Sequence, residues 1–145
     1  MTSSFDPVFK TNILVRFGDC DPAGIVFYPR YFEMINNLVE DWCAIGLEHS
    51  FRTLHMEQGL GLPTVHIETD FVAASELGET LRAELQVRKI GAASITLDIR
   101  ILGPDGADRV RCTLVLVALD LHTRSAMSLP EALRTRIERF CATPQ

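Results

Sequence analysis

The sequence predicts an α+β fold in which one long central helix is wrapped by a five-stranded antiparallel sheet, with a short C-terminal helix. Apolar residues recur at helical spacing in one long segment, residues 29–45, opposite a polar face. One segment before it and three after it alternate apolar and polar residues, as half-buried strands do, and a fourth later segment is almost continuously apolar. Because 145 residues suit one domain, we expect residues 1–145 to form a single α+β domain.

The first strand is predicted at residues 9–17, after a loose lead-in at residues 1–8. A polar loop with two acids, Asp19 and Asp21, follows the strand and leads into the helix. Five alternate residues form the expected buried face of the strand: Phe9, Thr11, Ile13, Val15 and Phe17.

The long helix is expected to begin at Pro29. Proline suits the first helical position because its missing N–H would have no partner there. Gly46 follows the last periodic residue and is a natural stop. The predicted apolar face consists of Tyr31, Met34, Ile35, Leu38, Val39, Trp42 and Ile45.

The second half of the chain consists mainly of predicted strands. Residues 48–62 are irregular, and the GPDG sequence at residues 103–106 indicates a hairpin. The almost continuous apolar run after Arg109 predicts a strand that is buried on both faces or central in its sheet. Short turns between the strands lead us to expect antiparallel pairing. The predicted strands cover residues 65–71, 80–90, 94–102 and 109–121, and the short helix lies within residues 130–141.

Composition limits the classes of function and the compartment. The net charge is −5 and the basic residues are scattered, so neither nucleic acid nor an anionic membrane is expected as a partner. No apolar run reaches the length of a membrane span, and the N-terminal MTSSFDPVFK has no signal-peptide core. Four cysteines would allow disulfides, but a chain of this size needs none, so we expect reduced thiols and a cytoplasmic protein.

A carboxylate next to a helix N-terminus points to acyl chemistry. The unpaired N–H groups and partial positive charge of the helix start can stabilise an oxyanion. A carboxylate a few residues upstream can act on the same carbonyl as nucleophile or general base. Asp21 precedes Pro22, however, and such steps commonly begin turns, so a capping role is the structural alternative. Cys20 has no histidine in this loop to activate it, and we interpret it as a small semi-buried residue.

The segment FGDCDPAGIVFYPRYFE, residues 17–33, closely resembles the signature of the 4-hydroxybenzoyl-CoA thioesterase family. The resemblance implies a hot-dog fold that forms a homodimer, often paired into a homotetramer, with active sites between subunits. It implies hydrolysis of acyl-CoA thioesters without a metal or other cofactor. It also implies catalytic roles for the Asp21 carboxylate and for the backbone amide of Tyr28, which would receive the thioester oxygen.

The sequence departs from the family pattern where the nucleotide of CoA is bound. The family often has Arg or Lys after the glycine at the end of a basic strand, whereas Ala92 and Ala93 follow Gly91 here. Arg88 and Lys89 are therefore the candidate contacts to the CoA phosphates. The alternative is that both are solvated surface residues.

A second departure concerns the acyl group. Asn36 stands where the 4-hydroxybenzoyl branch has an acid that faces the substrate ring, so a 4-hydroxyl substrate is not implied. The four histidines show no ligand spacing that would indicate a metal site. The sequence thus predicts an acyl-CoA thioesterase that acts on an aryl-CoA of the benzoyl type or on a short acyl-CoA.

Two other functions are compatible with the same fold. A non-catalytic acyl-CoA-binding hot-dog dimer is the main alternative, and the intact Asp21 argues against it. A dehydratase typically needs a histidine paired with an acid near the helix, and no histidine occurs between Asp6 and Glu48.

Overall fold

The computed structural model describes residues 5–141, so the first half of the predicted N-terminal lead-in, residues 1–4, lies outside the described residues. The helices are α1, Pro29–Asp41, and α2, Glu131–Glu138. The strands within this range are β1 Phe9–Leu14, β2 Leu60–Gly61, β3 Thr64–Phe71, β4 Thr80–Ile90, β5 Ser94–Leu102, β6 Asp108–Val117, β7 Leu119–Asp120 and β8 Ser125–Ala126.

Five strands form one antiparallel sheet in the order β1-β4-β5-β6-β3, and α1 covers one of its faces. The alternate residues of β4 and β5 that point inward are almost fully buried, because each strand presents every second side chain to the helix. They pack against the apolar stripe of α1, which consists of Tyr31, Met34, Ile35, Leu38 and Val39. The predicted α+β hot-dog arrangement is confirmed, and α2 is the predicted short C-terminal helix.

The central helix begins at Pro29, as predicted, but it is not α-helical throughout. Its α-helical part ends at Asp41, and a π-helical turn, Trp42–Gly46, carries the chain to the predicted stop. A Cβ atom at Gly46 would lie 2.8 Å from the Trp42 ring and 2.9 Å from that of Phe140. Glycine therefore allows the end of the helix to approach two buried aromatic rings.

The first strand is shorter than predicted. The buried alternation holds through Val15, which is 1% exposed, but β1 ends at Leu14. Phe17 belongs to a 3₁₀ turn, Phe17–Asp19, and is 84% exposed. Its expected place on a buried strand face is therefore wrong, because the chain turns out of the sheet before that position.

The order of the strands corrects the expectation that sequence neighbours pair. β3 forms the edge next to β6, and its register joins Phe71 to Val110 and Thr69 to Cys112. β4 instead lies between β1 and β5. The segment at residues 72–79 carries the chain from one edge of the sheet to a strand near the other edge. Turn residues show that the chain reverses direction, but they do not determine which strand it meets next.

Two more expectations need adjustment. β6 is internal to the sheet, but only its inward residues, such as Val110 and Leu114, are buried, while Thr113 and Val115 on the other face are half-buried. The small sheet β2-β7-β8 was not predicted, because strands of two residues carry no periodic signal.

No helix within the described part of the chain is long and apolar enough to span a membrane. All four cysteines are unpaired, and burial raises the pKa of the Cys43 thiol to about 12.

Candidate active site

The acidic loop folds back on itself as a small hairpin before α1 begins. The Asp21 N–H donates to the Ile25 carbonyl at 3.0 Å, and the Phe27 N–H donates to the Asp19 carbonyl at 2.9 Å. Gly24 lies between the two arms with a φ of +79°, a conformation that other residues rarely adopt. The DPAG sequence therefore forms the tip of the hairpin, and Asp21 lies at that tip.

The Asp21 carboxylate is half-buried and only partly used by the turn. Its Oδ1 accepts a hydrogen bond from the Ala23 N–H at 2.9 Å, which is the capping contact that the structural alternative predicts. Its Oδ2 accepts no hydrogen bond from any residue between 5 and 141. One carboxylate oxygen is therefore available for chemistry. The carboxylate borders a hollow of about 350 Å³ lined by Phe17, Cys20, Pro22, Gly24 and Leu77.

Asp19 and Cys20, the other two polar residues of the loop, have contacts that suit a structural role. Asp19 Oδ2 accepts a hydrogen bond from the Arg16 N–H at 2.9 Å, so this acid braces the loop, as predicted. Desolvation raises the pKa of the Cys20 thiol, and the nearby carboxylates of Asp19 and Asp21 raise it further. A thiol with a raised pKa is a poor nucleophile, which agrees with the reading of Cys20 as a small semi-buried residue.

Tyr28 immediately precedes α1 and has helical dihedral angles. Its N–H donates to no acceptor among the described residues, whereas the Arg30 N–H donates to the Phe27 carbonyl at 2.8 Å. The Tyr28 ring is 57% exposed, and its centroid lies 5.8 Å from that of Phe71. The helix start therefore offers an unpaired N–H beside an exposed aromatic surface.

A buried network that the sequence did not indicate holds this region in place. Ser75 is fully buried, and its Oγ accepts a hydrogen bond from the Tyr31 hydroxyl at 3.0 Å. Its backbone carbonyl accepts a hydrogen bond from the Val26 N–H at 2.9 Å, and the Leu77 N–H donates to the Gly24 carbonyl at 3.0 Å. The connection between β3 and β4 is thereby joined to the first turn of α1 and to both sides of the hairpin tip.

Arg109 completes the network from β6. Its guanidinium donates to both carboxylate oxygens of Glu79, at 3.0 and 3.1 Å, and to the Ala74 carbonyl at 2.8 Å. A further bond reaches Ser75 Oγ at 3.3 Å. These hydrogen bonds lower the pKa of Glu79, and the same partner raises the pKa of Arg109. The sequence identifies Arg109 only as the start of a strand. No local pattern in the sequence indicates its contacts with residues 74–79.

A cavity of about 580 Å³ lies beside α1. The helix contributes Phe32, Ile35, Asn36 and Val39, and the rest comes from residues 51–64, β3, and the neighbouring parts of β6 and β7. The lining is mostly aliphatic and aromatic, which is typical of a site for an apolar group. The predicted substrate residue Asn36 is one of its few polar members.

The two basic residues predicted to bind phosphate lie elsewhere. Arg88 borders a polar hollow on the sheet that does not include Asn36 or Asp21. Its Nε donates to Asp98 Oδ2 at 3.0 Å, and its Nη2 donates to Thr113 Oγ1 at 3.1 Å. Asp98 raises the pKa of Arg88 through this pairing. Lys89 follows a bulge in β4, is exposed, and has no ion-pair partner among residues 5–141.

The described residues contain no group of three or more His, Cys, Asp or Glu side chains that could hold a metal ion. Asp21 borders a different hollow from the cavity that Asn36 lines, and Tyr28 lines neither of them. The candidate site residues are therefore the Asp21 carboxylate, the Tyr28 amide and the lining of the apolar cavity, which the described part of one chain does not join in a single pocket.

Comparison with known proteins places these features in a family. Residues 15–137 match the sequence profile described as the thioesterase-like superfamily. A 1,4-dihydroxy-2-naphthoyl-CoA hydrolase from Synechococcus elongatus is 29% identical over 128 residues, covering 87% of this chain and 92% of that protein. A 4-hydroxybenzoyl-CoA thioesterase from a Pseudomonas species is 31% identical over 77 residues, covering 52% of this chain and 54% of that protein.

Solved structures show the same relationship. The crystal structure of a 1,4-dihydroxy-2-naphthoyl-CoA thioesterase from Synechocystis superposes with a TM-score of 0.79 at 26% identity. The match covers 90% of this chain and 95% of that chain.

Proposed function

The chain belongs to the thioesterase-like superfamily, and from this we propose that it hydrolyses an aryl-CoA of the benzoyl type, or a short acyl-CoA, to the free acid and CoA. The observation that carries the proposal is the combination of a free Asp21 carboxylate oxygen with an unpaired Tyr28 N–H, seven residues apart around one hairpin. The relatives named for aromatic acyl-CoA thioesters support the choice of substrate class.

The lining of the cavity beside α1 favours an aromatic acyl group. It includes the rings of Phe32 and Phe51 among mainly aliphatic side chains. The apolar side chains that line the cavity suit the faces of an aromatic acyl ring.

Asp21 acts on the thioester carbon by one of two routes. As a nucleophile it forms a bond to that carbon and expels the CoA thiolate, and water then hydrolyses the mixed anhydride and restores the carboxylate. As a general base it takes a proton from water, the hydroxide adds to the carbon, and the departing CoA sulfur receives the proton. Both routes need a carboxylate oxygen that no other group occupies.

The Tyr28 amide stabilises the charge that develops in either route. The tetrahedral intermediate carries its negative charge on the former carbonyl oxygen, and an unpaired N–H at a helix start is aligned with the partial positive end of the helix. One donor of this kind is worth about 3–4 kcal/mol of transition-state stabilisation. The ring of Tyr28 lies beside Phe71, so its side chain forms part of the approach to the site.

The nucleotide end of CoA is assigned to the basic residues of β4. Lys89 has no ion-pair partner in the described chain and is exposed, so it can meet a phosphate without first losing another contact. Arg88 is hydrogen-bonded to Asp98, and it would have to share its guanidinium between that carboxylate and a phosphate. Lys89 is therefore the main proposed phosphate contact and Arg88 the secondary one.

The proposed enzyme is a homodimer, or a homotetramer built from dimers, that pairs through β3. This edge strand exposes Val65, Ile67 and Phe71 by 59%, 39% and 47% of their surfaces. The exposed apolar edge would favour pairing with another copy of the chain. The opposite edge, β1, exposes mainly polar side chains. Because β3 also borders the cavity along α1, a second copy paired there would close that cavity.

We assign this activity to one domain that works in the cytoplasm. The four unpaired cysteines suit a reducing compartment. The profile match extends over most of the chain, which agrees with a single functional unit.

Hydrolysis by wild-type and Asp21→Asn protein tests the proposal. Thiol release is measured with a panel of benzoyl-type and straight-chain acyl-CoAs. Asn keeps the size of the side chain but removes the nucleophile and base, so kcat should fall on the order of 10²–10⁴-fold with little change in substrate affinity. Asp19→Asn is the matched control because Asp19 is in the same loop and should lose far less activity.

Two results would contradict the proposal. Activity of Asp21→Asn within a few-fold of wild type would exclude a mechanism that depends on this carboxylate. Binding of acyl-CoA by the wild-type protein with no turnover of any thioester would instead favour the non-catalytic acyl-CoA-binding dimer.

A further inference from the structure

His55 lies in the wall of the cavity and has no role in the mechanism above. It belongs to a π-helical turn, Thr53–Glu57, on the segment that follows α1. The side chain is half-buried, and its ring centroid is 5.0 Å from that of Phe51, which also lines the cavity. The imidazole is thus packed against an aromatic neighbour, and the residue borders the space that the acyl group would enter.

The polar atoms of His55 are not used by the protein. Neither ring nitrogen has a hydrogen-bond partner among residues 5–141, and the Asn36 amide has none either. His49, in contrast, uses Nδ1 in a 2.8 Å contact with the Leu47 carbonyl. Two unpaired polar side chains therefore line a cavity whose other walls are mainly aliphatic and aromatic.

An unpaired polar group becomes costly when a ligand displaces water from it. A buried donor or acceptor left without a partner costs about 1–3 kcal/mol. An entirely apolar acyl group would impose that cost at His55, whereas a ring with a hydroxyl group would supply the missing partner. Imidazole can serve as donor or acceptor, so it matches a hydroxyl in either role.

We propose that His55 is a specificity residue that hydrogen-bonds a polar substituent on the aromatic acyl group. This inference rests on the proposed thioesterase function and deepens it. Asn36 on α1 and His55 on the following segment would contact the ring from two separate elements. The pair favours a hydroxylated aryl group over both unsubstituted benzoyl and straight-chain acyl groups.

Substitution of His55 tests this role with hydroxylated and unsubstituted substrates in parallel. The kcat/KM of His55→Phe and His55→Gln is compared with that of wild type for benzoyl-CoA and for each monohydroxybenzoyl-CoA isomer. Phe keeps the aromatic packing on Phe51 but removes the hydrogen bond, and Gln restores a polar end. His122→Phe is the control, because His122 is exposed and does not line the cavity.

The expected result is a change in preference rather than a general loss. The wild-type protein should prefer at least one hydroxylated isomer, and His55→Phe should reduce that preference about 10- to 100-fold. Activity on benzoyl-CoA should not fall and should rise by up to about tenfold, because Phe removes the polar group that an unsubstituted ring leaves unpaired. His55→Gln should recover part of the preference, and His122→Phe should leave it unchanged.

The proposal fails if His55→Phe lowers activity on benzoyl-CoA and on the hydroxylated isomers by the same factor, which would indicate a structural role. It also fails if the wild-type protein turns over these thioesters without any preference for a hydroxylated ring. Absence of turnover of every thioester is a different outcome, because it overturns the proposed function itself.

Discussion

Replacing Arg109 by Met should both destabilise the protein and slow its catalysis. The Arg109 side chain is 13% exposed and that of its partner Glu79 is 24% exposed, so water only partly replaces the lost contacts. Met keeps most of the aliphatic volume but leaves the Glu79 carboxylate, the Ala74 carbonyl and the buried Ser75 hydroxyl without the guanidinium. Breaking a partly buried charged network of this kind costs about 2–4 kcal/mol.

The predicted loss is large enough to measure by thermal and chemical unfolding. For a chain of this length it corresponds to a fall in Tm of about 6–15 °C. Arg111→Met is the matched control: Arg111 is on the same strand, is 58% exposed, and lies 3.9 Å from Asp108. An exposed pair of this kind contributes at most about 1 kcal/mol.

The acid side of the stability curve provides a second measurement. The pKa of Glu79 is lowered in the folded protein, first of all by its hydrogen bonds from Arg109. The ionised carboxylate therefore stabilises the fold above the ordinary pKa of glutamate, and this contribution is lost as the pH falls through the lowered folded value. In Arg109→Met the stability should depend less on pH in that acidic range, whereas Arg111→Met should follow the wild-type curve.

Catalysis should respond because the same network supports the hairpin that carries Asp21. Ser75 accepts a hydrogen bond from Val26, so a displaced connection would loosen that hairpin. We expect kcat to fall in Arg109→Met at a temperature where the variant is still folded, with a smaller change in KM. If Arg109→Met and Arg111→Met unfold within about 0.5 kcal/mol of each other, the network does not support the fold as argued.

Two further predictions concern assembly and CoA binding. Val65→Asp should reduce the molar mass measured by light scattering from that of a dimer to that of a monomer, because it places a charge on the β3 edge. Leu14→Asp on β1 is the control and should leave the dimer intact. Dissociation by Leu14→Asp alone would indicate that the dimer forms through the β1 edge. Lys89→Ala should raise the KM for acyl-CoA roughly three- to tenfold by removing one phosphate contact. The same variant should leave the KM for the corresponding acyl-pantetheine thioester unchanged, and an equal rise for both substrates would contradict a phosphate contact.

Local patterns predicted much of the fold. The helix start follows from Pro29, whose ring restricts φ and whose missing N–H is harmless only in the first turn. The bounds of β4 and β5 follow from alternation, and they agree with residues 80–90 and 94–102 as predicted. The position of Asp21 ahead of the helix is likewise local, since only seven residues separate it from Tyr28.

Local patterns did not predict the contacts between segments that are distant in the sequence. Nothing in the sequence near β3 indicates that it pairs with β6. The paired residues Thr69 and Cys112 are more than forty residues apart in the chain. The buried serine network and the place of His55 in the cavity wall are similar cases. Each depends on which surfaces meet after α1 has packed on the sheet.

The sequence alone determined the α+β class, the start of the helix, the acidic loop ahead of it and the family signature, because each depends on backbone limits and side-chain spacing within a short segment. Only the tertiary structure decided the strand order, the exposure of β3, the engagement of Arg88 with Asp98, and the cavity shared by Asn36 and His55. The physical reason is that these features minimise the free energy of the whole chain. Periodicity shows which side of a strand or helix is apolar, and it carries no information about the partner that will cover that side.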